Sequence, residues 1–505
     1  MRDYKLTTWP IAVSLFLFAC SPLNTIRPAD VTGIPHASQP NIIILLADDL
    51  GYGDLGSYGH PSIRTPHLDR IAREGQRWTD FYTVAPVCSP SRGALMTGKL
   101  PVNSGLYGRG QAVFFPGDQG GIPEHELTIA EALKAVGYDT AIFGKWHLGD
   151  TPDALPTRHG FDEWLGLPYS NDMDWTIGLP TKEIIRAIKT GSLSLQEAMK
   201  TFAERKTLFM NPKPEYWNVP LIKSSSNEEG TRDVIVQRPA DQRLLTKRYT
   251  QEAINYISRH KDGSNPFLLY LAYTMPHVPL FRSDEFAGHS RGGRYGDVVE
   301  EIDWSIGEIR KALETSGLDQ NTLVVFSSDN GPWLLADHHS GSAGLLKQGK
   351  GTTYEGGMRV PGIFWWPGTI KPDVVGGIGS IMDLYSTALS LAGVKADLTH
   401  TNAIDLLPAL QGRPSPRRTL PYYRTGKLYA FRKGDYKIHF ITEGAYGSGE
   451  KYTEHESPLL FHLGEDPAEQ FDLAIKRPAI LADMLAAVKL HQSGLNQVDA
   501  IFDQP

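Results

Sequence analysis

The sequence predicts an α/β protein with a large, mostly parallel sheet sandwiched by helices, followed by a smaller C-terminal domain of antiparallel strands and a helix. Apolar runs of strand length alternate with amphipathic helical segments, which is the order typical of parallel sheets. The runs are continuously apolar, as in strands buried on both faces. From about residue 421 the pattern changes to short alternating strands.

The elements of the larger domain are predicted from periodicity and from their flanking turn residues. Strands are predicted at residues 41–47, 138–143, 266–273 and 322–326, and helices at 65–74, 126–136, 245–259, 298–315 and 381–392. The glycine-rich segment 51–56 follows two carboxylates, and no helical pattern begins at its last glycine. It is therefore predicted to be a loop and not a dinucleotide-binding turn.

Residues 40–420 are assigned to the larger domain and residues 421–505 to the smaller one. Residues 180–241 lose the α/β rhythm, with a lone helix predicted near 193–205 and a polar run at 224–230, so we interpret them as an insertion. In the smaller domain, strands are predicted at 428–432, 436–440 and 459–462, and a helix at 479–491.

The N-terminus has the form of a secretory signal. Arg2 and Lys5 precede an apolar run at 11–19 that is too short to span a bilayer. The run ends in Leu-Phe-Ala-Cys20, which resembles a bacterial lipobox. We therefore predict that residues 1–20 are removed on export, that Cys20 is lipidated and that residues 21–39 form a tether. The protein would be periplasmic or a membrane-anchored lipoprotein; the alternative is an ordinary cleaved signal.

Composition excludes several classes of protein. The chain has 505 residues, a net charge of −7 and only two cysteines, Cys20 and Cys88. Two cysteines exclude a disulfide framework. A net negative charge argues against nonspecific nucleic-acid binding, which needs a basic face. An anionic substrate would therefore have to be attracted by a local basic site.

Polar side chains follow four of the predicted strands. These residues are Asp48 and Asp49, Lys145 and His147, His277, and Asp329 and Asn330. Each alone is more often an ordinary polar loop residue. Because the carboxyl ends of parallel strands form one edge of a sheet, where ligands bind in such folds, we expect these residues to lie together.

The expected cluster suits a hard divalent cation. Carboxylate and amide oxygens are ligands for Ca²⁺ or Mg²⁺ rather than zinc. Three carboxylates against one divalent ion leave an excess negative charge, which would repel an anionic ester. Arg92, Lys145 and Lys350 would reverse the sign, and His147 and His277 could transfer protons near neutral pH.

Cys88 begins the pattern Cys-x-Pro-x-Arg, which is followed by Leu-Met-Thr-Gly. The residues predict a helix that begins near Cys88, with the proline suited to its first position. A buried structural cysteine is the alternative interpretation. The full pattern resembles the signature of the type I sulfatases, in which this cysteine is converted to the aldehyde formylglycine. The resemblance implies a formylglycine-generating enzyme as a partner.

The resemblance runs from about residue 40 into the C-terminal domain and implies an alkaline-phosphatase-like fold and hydrolysis of sulfate esters. It also implies roles for particular residues. The metal would be held by Asp48, Asp49, formylglycine 88, Asp329 and Asn330. The segments Gly-Lys-Trp-His, Pro-His-x-Pro and Gly-Lys-Gly-Thr-Thr-Tyr-Glu-Gly match the family at Lys145 and His147, at His277 and at Lys350, and Ser170 matches an active-site serine.

The implied mechanism is covalent. One hydroxyl of the aldehyde hydrate attacks sulfur while Arg92, Lys145 and Lys350 stabilise the sulfuryl oxygens. His277 or Lys350 assists the leaving alcohol. Deprotonation of the second hydroxyl, by His147, then expels sulfate and regenerates the aldehyde.

Two other functions remain open from the sequence. One is a phosphomonoester or phosphonate-ester hydrolase of the same superfamily, and the other is a catalytically inactive glycan-binding lipoprotein. The substrate is expected to be a sulfate ester of a small molecule or a glycan. Residues 180–241 and the loop at 333–346 are expected to shape its pocket.

Overall fold

The computed structural model describes residues 39–227, 230–263, 265–394 and 400–503. The predicted signal, Cys20 and nearly all of the predicted tether lie outside the described residues. Within these ranges, no helix combines the length and apolar character needed to cross a membrane.

The strands are numbered in chain order. They are β1 (Asn41–Ala47), β2 (Gln76–Tyr82), β3 (Asp139–Gly144), β4 (Glu163–Gly166), β5 (Leu221–Asn227), β6 (Gly230–Gln237), β7 (Phe267–Ala272), β8 (Thr322–Ser328), β9 (Arg359–Trp365), β10 (Asp373–Val375), β11 (Gly379–Ser380), β12 (Thr419–Arg424), β13 (Lys427–Lys433), β14 (Tyr436–Thr442) and β15 (Thr453–His462).

The α-helices are numbered in the same way. They are α1 (Pro66–Glu74), α2 (Cys88–Thr97), α3 (Pro101–Ser104), α4 (Ile129–Lys134), α5 (Thr181–Lys189), α6 (Leu195–Met210), α7 (Leu245–Arg259), α8 (Gly293–Ser316), α9 (Glu355–Met358), α10 (Asp383–Leu391), α11 (Leu407–Leu410) and α12 (Pro478–Ser493).

The main sheet confirms the predicted fold class. In the described part of the chain its strand order is β10-β2-β9-β8-β1-β7-β3-β4-β5-β6, and β11 also pairs with β2. The central strands β8, β1, β7, β3 and β4 are parallel. Antiparallel strands extend the sheet on both sides, with β9 next to β8 and β5 next to β4.

The centre of the sheet is buried on both faces. In β1, Ile43 and Leu45 pack into one hydrophobic cluster with residues of α1, α7 and α8. Ile42 and Ile44 pack into a second cluster on the other face with residues of α2, α4 and α10. This two-sided burial explains why the strand is continuously apolar, and it brings α2 to the same face as the even-numbered residues of β1.

The C-terminal region is a separate antiparallel sheet, β12-β13-β14-β15. Its core joins the sheet to α12 through contacts that include Phe431, Ile438, Leu460, Met484 and Val488. This agrees with the prediction of a smaller sheet plus helix. The sheet begins with β12, a strand that the sequence pattern did not predict.

Residues 180–241 differ from the prediction of one helix. Their described residues contain two helices, α5 and α6, and the described part of the polar run lies in the paired strands β5 and β6. This strand pair is joined through β5 to β4 and so extends the main sheet. The run was not predicted as strand because β6 is almost entirely exposed and β5 is only partly buried, so apolar periodicity is weak.

Candidate active site

The carboxylates of the site are positioned by the register of two neighbouring parallel strands. Ala47 at the end of β1 lies opposite Ser328 at the end of β8. The next residues, Asp48 and Asp329, therefore leave the sheet side by side. The backbone N–H of Asp329 donates to the Ala47 carbonyl at 3.2 Å, and the N–H of Asp49 donates to Asp329 Oδ1 at 3.2 Å.

Cys88 is the first residue of α2, and the preceding residue, Val87, is extended. Pro90 is therefore the third helical residue, two positions later than predicted. All residues of α2 are buried. The Cys88 Sγ lies 3.7 Å from Asp48 Oδ1 and 3.4 Å from Lys350 Nζ, so the cysteine faces both an acid and a cation.

Burial raises the pKa of the Cys88 thiol to about 12, although Lys145 and Lys350 oppose the shift. The predicted benefit of a helix N-terminus for an anion is therefore outweighed by desolvation. An unmodified thiol here stays protonated at neutral pH, and a protonated thiol is a poor nucleophile.

The site contains a set of potential metal ligands. Ligand atoms of Asp48, Asp49, Cys88 and His277 all lie within 4.8 Å of one another. Asn330 Nδ2 donates to Asp49 Oδ1 at 2.7 Å and to the Gly331 carbonyl. This leaves Asn330 Oδ1 buried and without a hydrogen-bond partner in the structure.

The unpaired Asn330 Oδ1 tests whether a cation would fit this site. A buried acceptor without a donor is costly unless something binds it. Its neighbours are carboxylate oxygens, which Ca²⁺ and Mg²⁺ prefer. The donor set therefore fits a hard divalent ion held by Asp48, Asp49, Asp329 and Asn330 next to residue 88.

Three buried cations complete the cluster. Arg92 Nε and one terminal nitrogen bind Asp329 Oδ2, both at 2.8 Å, and Arg92 Nη1 donates to the Lys145 carbonyl. Lys145 Nζ lies 2.6 Å from Asp48 Oδ2. Lys350 Nζ lies 2.7 Å from Asp49 Oδ1. Each carboxylate thus contacts a cation, and the predicted reversal of sign is built into the site.

The surroundings of the two acids shift the pKa values of Asp48 and Asp329 in opposite directions. Burial opposes ionisation of Asp48, but Lys145, His277 and Arg92 hold the pKa of its carboxyl below the usual value. Burial and the nearby Asp48 raise the pKa of Asp329, against the attraction of Arg92. Burial lowers the pKa of Lys350, but Asp49 acting together with Cys88, Tyr446 and Asp48 raises it well above its ordinary value.

His147 has one nitrogen available. Its Nε2 lies 2.9 Å from the Phe114 carbonyl, and because a carbonyl only accepts, Nε2 carries the proton in the neutral ring. Its Nδ1 is buried without a partner in the structure. Burial and the charges of Lys145 and Arg92 lower the pKa of His147 well below its usual value, so the neutral ring offers Nδ1 as a proton acceptor.

His277 and Ser170 lie on the same side of the cluster. The His277 Nδ1 donates to the Val278 carbonyl at 2.6 Å, so Nε2 faces Asp49 Oδ2 at 3.6 Å and Ser170 Oγ at 3.5 Å. Lys145 Nζ donates to Ser170 Oγ at 3.3 Å. Ser170 therefore joins the cluster through two of its members.

The structure thus brings the sequence-predicted residues into one buried cluster, and it adds two aromatic residues at the rim. Trp333, from the predicted pocket loop, packs against His277 at 5.4 Å between rings, and Lys350 Nζ lies 4.9 Å from the centre of its ring. Tyr446 of the C-terminal domain lies 6.0 Å from Trp333 between rings. No sequence signal marks Tyr446, which sits in a short turn between β14 and β15.

Comparison with known proteins places this chain in a family. The model of the sulfatase family matches residues 40–394, and a model described as the C-terminal region of aryl-sulfatase matches residues 415–505. Arylsulfatase A of Bos taurus is 39% identical over 500 residues, covering 95% of this chain and 92% of that protein. N-acetylgalactosamine-6-sulfatase of Canis lupus familiaris is 38% identical over 508 residues, covering 92% and 88%.

Solved structures agree with these sequence matches. The PsFucS1 sulfatase from Pseudoalteromonas sp. superposes with a TM-score of 0.77 at 29% identity and covers 91% of each chain. The family match extends over both the large sheet and the C-terminal sheet. The chain therefore belongs to the sulfatase family, whose members are hydrolases of sulfuric esters.

Proposed function

We propose that this protein hydrolyses sulfate esters of glycans or small molecules with formylglycine formed from Cys88, beside a Ca²⁺ or Mg²⁺ ion. The observation that carries the proposal is the arrangement around Cys88. Three carboxylates, three cations and an uncommitted amide oxygen are buried together within reach of one cysteine. A structural cysteine needs no such surroundings.

The chain's own residues supply charge and proton transfer. When present, the cation supplies Lewis-acid polarisation and the hydrated aldehyde supplies a hydroxyl nucleophile. Arg92, Lys145 and Lys350 provide fixed positive charge for the sulfuryl oxygens, in a buried site where such charge acts strongly. Because these cations are already held by carboxylates, little reorganisation is needed when the ester binds.

The two histidines have separate tasks in this proposal. His277, when its ring carries a proton on Nε2 as well as on the Nδ1 that bonds the Val278 carbonyl, donates the Nε2 proton to the leaving alcohol, with Lys350 as the other candidate donor. His147 Nδ1, buried and without a partner, accepts the proton that must leave residue 88 before sulfate is released. Ser170 holds Lys145 and His277 in place.

Peptide mass spectrometry of residue 88 together with turnover of an aryl sulfate tests the proposal. We expect an aldehyde at position 88, and activity across preparations that scales with the aldehyde fraction. Full activity of protein with an unmodified thiol would contradict the mechanism. Faster turnover of an aryl phosphate than of the aryl sulfate would favour the phosphoester alternative, and a complete lack of turnover by aldehyde-containing protein would favour the glycan-binding alternative.

Export and lipidation are part of the proposal. They are supported by the short apolar run that ends in Leu-Phe-Ala-Cys20. Labelled fatty acid should be incorporated in wild-type protein and lost in Cys20→Ser, and globomycin should block processing. Unchanged processing and no label in the wild type would leave an ordinary signal or none.

A further inference from the structure

A groove leads away from the nucleophile and is formed between the two domains. Its cavity is about 170 Å³, smaller than the roughly 300–1,000 Å³ of sites that enclose drug-sized ligands. It therefore suits one ring of a larger ligand. Its lining residues include Val87, Arg109, Gly351, Arg424 and Tyr446.

The groove adjoins the chain segments that carry the proposed catalytic site, although neither Cys88 nor Lys350 lines it. Val87 directly precedes Cys88, and Gly351 directly follows Lys350. The Gly351 N–H donates to the Pro86 carbonyl at 2.8 Å, which joins the two segments. A group bound in the groove would thus lie close to the two segments that carry Cys88 and Lys350.

Tyr446 covers this end of the groove. It has a positive φ of 49° in the turn Ala445–Gly447, a conformation that residues other than glycine rarely adopt outside functional or tightly constrained sites. Its ring lies so close to Gly351 that a Cβ there would be 3.0 Å from it. The residue as a whole is nonetheless 49% exposed and lines the groove, so an apolar part of it is available to a ligand.

The charges along the groove have one sign. The lining residues with charged side chains are Arg109 and Arg424, and no carboxylate lines it, although the whole chain has a net charge of −7. Arg424 is compensated by Glu443 at 3.1 Å. Arg109 is exposed, and the described residues give its guanidinium no ion pair. Asp503 binds the backbone N–H groups of Arg109 and Gly110, which holds this segment in place.

We infer that this groove is a subsite for the sugar next to the sulfated one, and that it selects a sugar carrying its own anionic group. Tyr446 stacks on the ring and Arg109 binds the anion. The inference rests on the proposed sulfate-ester hydrolysis. It narrows the substrate class to acidic oligosaccharides with a sulfate ester on the unit that reaches Cys88.

The test compares two sulfated disaccharides that differ only in the neighbouring sugar, which is a uronic acid in one and its carboxyl-reduced, neutral form in the other. With aldehyde-containing, calcium-loaded enzyme we expect a lower KM for the acidic disaccharide. Arg109→Gln should raise that KM roughly tenfold, the size of a charge-assisted hydrogen bond, and remove the difference between the two substrates. High salt should reduce the preference, because Arg109 is exposed.

Arg291→Gln is the matched control, since Arg291 is also an exposed arginine but does not line the groove. Equal KM values for the two disaccharides in the wild type, or equal effects of the two arginine variants, would overturn the inference. Tyr446→Ala should raise KM for the acidic disaccharide several-fold and Tyr446→Phe should restore it. No restoration by phenylalanine would contradict the stacking role.

The groove can also be tested without turnover. Calorimetry with the desulfated acidic disaccharide should show binding that is weakened by Arg109→Gln and not by Arg291→Gln. If no sulfate ester reacted, the proposed function would be contradicted. If sulfate esters reacted but Arg109→Gln did not weaken binding of the desulfated disaccharide, only the assignment of the groove as a subsite would be contradicted.

Discussion

Two buried clusters in this protein contain equal numbers of carboxylates and cations and differ in what they leave unpaired. Each has three carboxylates and three cations. The first is the proposed active site, with Asp48, Asp49, Asp329, Arg92, Lys145, Lys350 and the two histidines His147 and His277. The second, the interdomain cluster, consists of Asp80, Glu355, Glu469, Arg359, Arg432, Lys437 and His439.

The interdomain cluster pairs each of its carboxylates and cations within the cluster. Lys437 Nζ lies 2.9 Å from Glu355, from Glu469 and from the Thr353 carbonyl. Tyr82 and Tyr422 donate to the Glu355 carboxylate at 2.6 and 2.8 Å. The cluster therefore joins the C-terminal sheet to the segment that follows Lys350. Its uncommitted atom is His439 Nδ1, on a ring whose other nitrogen contacts Glu469.

The proposed active site, by comparison, contains acceptors that no group in the described part of the chain satisfies. It leaves Asn330 Oδ1 and His147 Nδ1 without partners, although both are acceptors in a cluster rich in anions. It also lies at the carboxyl end of parallel strands, next to a groove. The comparison shows that buried charge alone does not indicate a ligand site. An uncommitted acceptor alone does not indicate one either, since His439 Nδ1 is such an atom. The proposed active site differs because its uncommitted amide oxygen lies among carboxylates at the carboxyl ends of parallel strands, where ligands bind.

The largest expected effect is that of Cys88→Ala. It should abolish turnover of an aryl sulfate, because the proposed nucleophile is lost, while the free energy of unfolding changes by no more than a small cavity costs. An aryl sulfate assay measures the turnover, and denaturant unfolding measures the change in the free energy of unfolding. Cys88→Ser should at most stall as sulfated enzyme, since its single hydroxyl cannot eliminate sulfate. Normal turnover by either variant would contradict the role of residue 88.

Removal of divalent cations should abolish turnover reversibly, since the uncommitted oxygen and the carboxylates are proposed to hold Ca²⁺ or Mg²⁺. Added Ca²⁺ at 100 times its Kd should also raise the free energy of unfolding by about 2.7 kcal/mol. Asp49→Ala should remove this calcium-dependent stabilisation. If metal-free protein had full activity and unchanged stability, the proposed active site would bind no metal, like the interdomain cluster, and the metal site would be refuted.

Glu355→Ala tests the closed cluster. Removing one partner of a buried ion pair leaves uncompensated charge, so we expect a loss of about 3–5 kcal/mol in the free energy of unfolding. Glu454→Ala, at an exposed glutamate paired with Lys427, is the matched control and should have little effect. Equal losses of unfolding free energy in the two variants would show that the interdomain cluster does not stabilise the contact between the two domains.

The same glutamate predicts a pH dependence. Burial opposes ionisation, but Lys437, Arg359 and Arg432 hold the pKa of the Glu355 carboxyl at about 2, below the usual value of 4.5. A depressed pKa stabilises the fold above the unfolded-state pKa, and this contribution is lost as pH falls through the folded-state value. The stability difference between wild type and Glu355→Gln should therefore shrink from about pH 4.5 downwards, as measured by unfolding at several pH values. A constant difference would contradict the ion pairing.

The smallest expected effect is that of Ser170→Ala. Ser170 contacts Lys145 and His277 at 3.3 and 3.5 Å and lies outside the set of proposed metal ligands. Its loss should lower kcat by roughly tenfold, at or below the range seen for groups that transfer protons. Asp329→Ala should be more damaging in the same assay. A larger loss for Ser170→Ala would mean that the serine contacts the reacting groups directly.

The sequence by itself determined the fold class, several elements and the composition of the site. Helix α7 was predicted at its observed bounds, and β1 was recognised because burial on both faces demands a continuous apolar run. Asp48, Asp49, Asp329 and Asn330 could be grouped in advance because parallel strands end at a shared edge.

Only the tertiary structure decided the rest. Strand β2 has a mixed sequence, β9 contains a proline, and β5 is largely polar, so their pairing depends on neighbours distant in the chain and not on local pattern. The register of β1 and β8 places Asp48 beside Asp329. Tyr446 reaches Gly351 through packing of the C-terminal sheet, a contact between residues 95 positions apart. Side-chain chemistry is local, but the distances that turn it into a site are set by nonlocal packing.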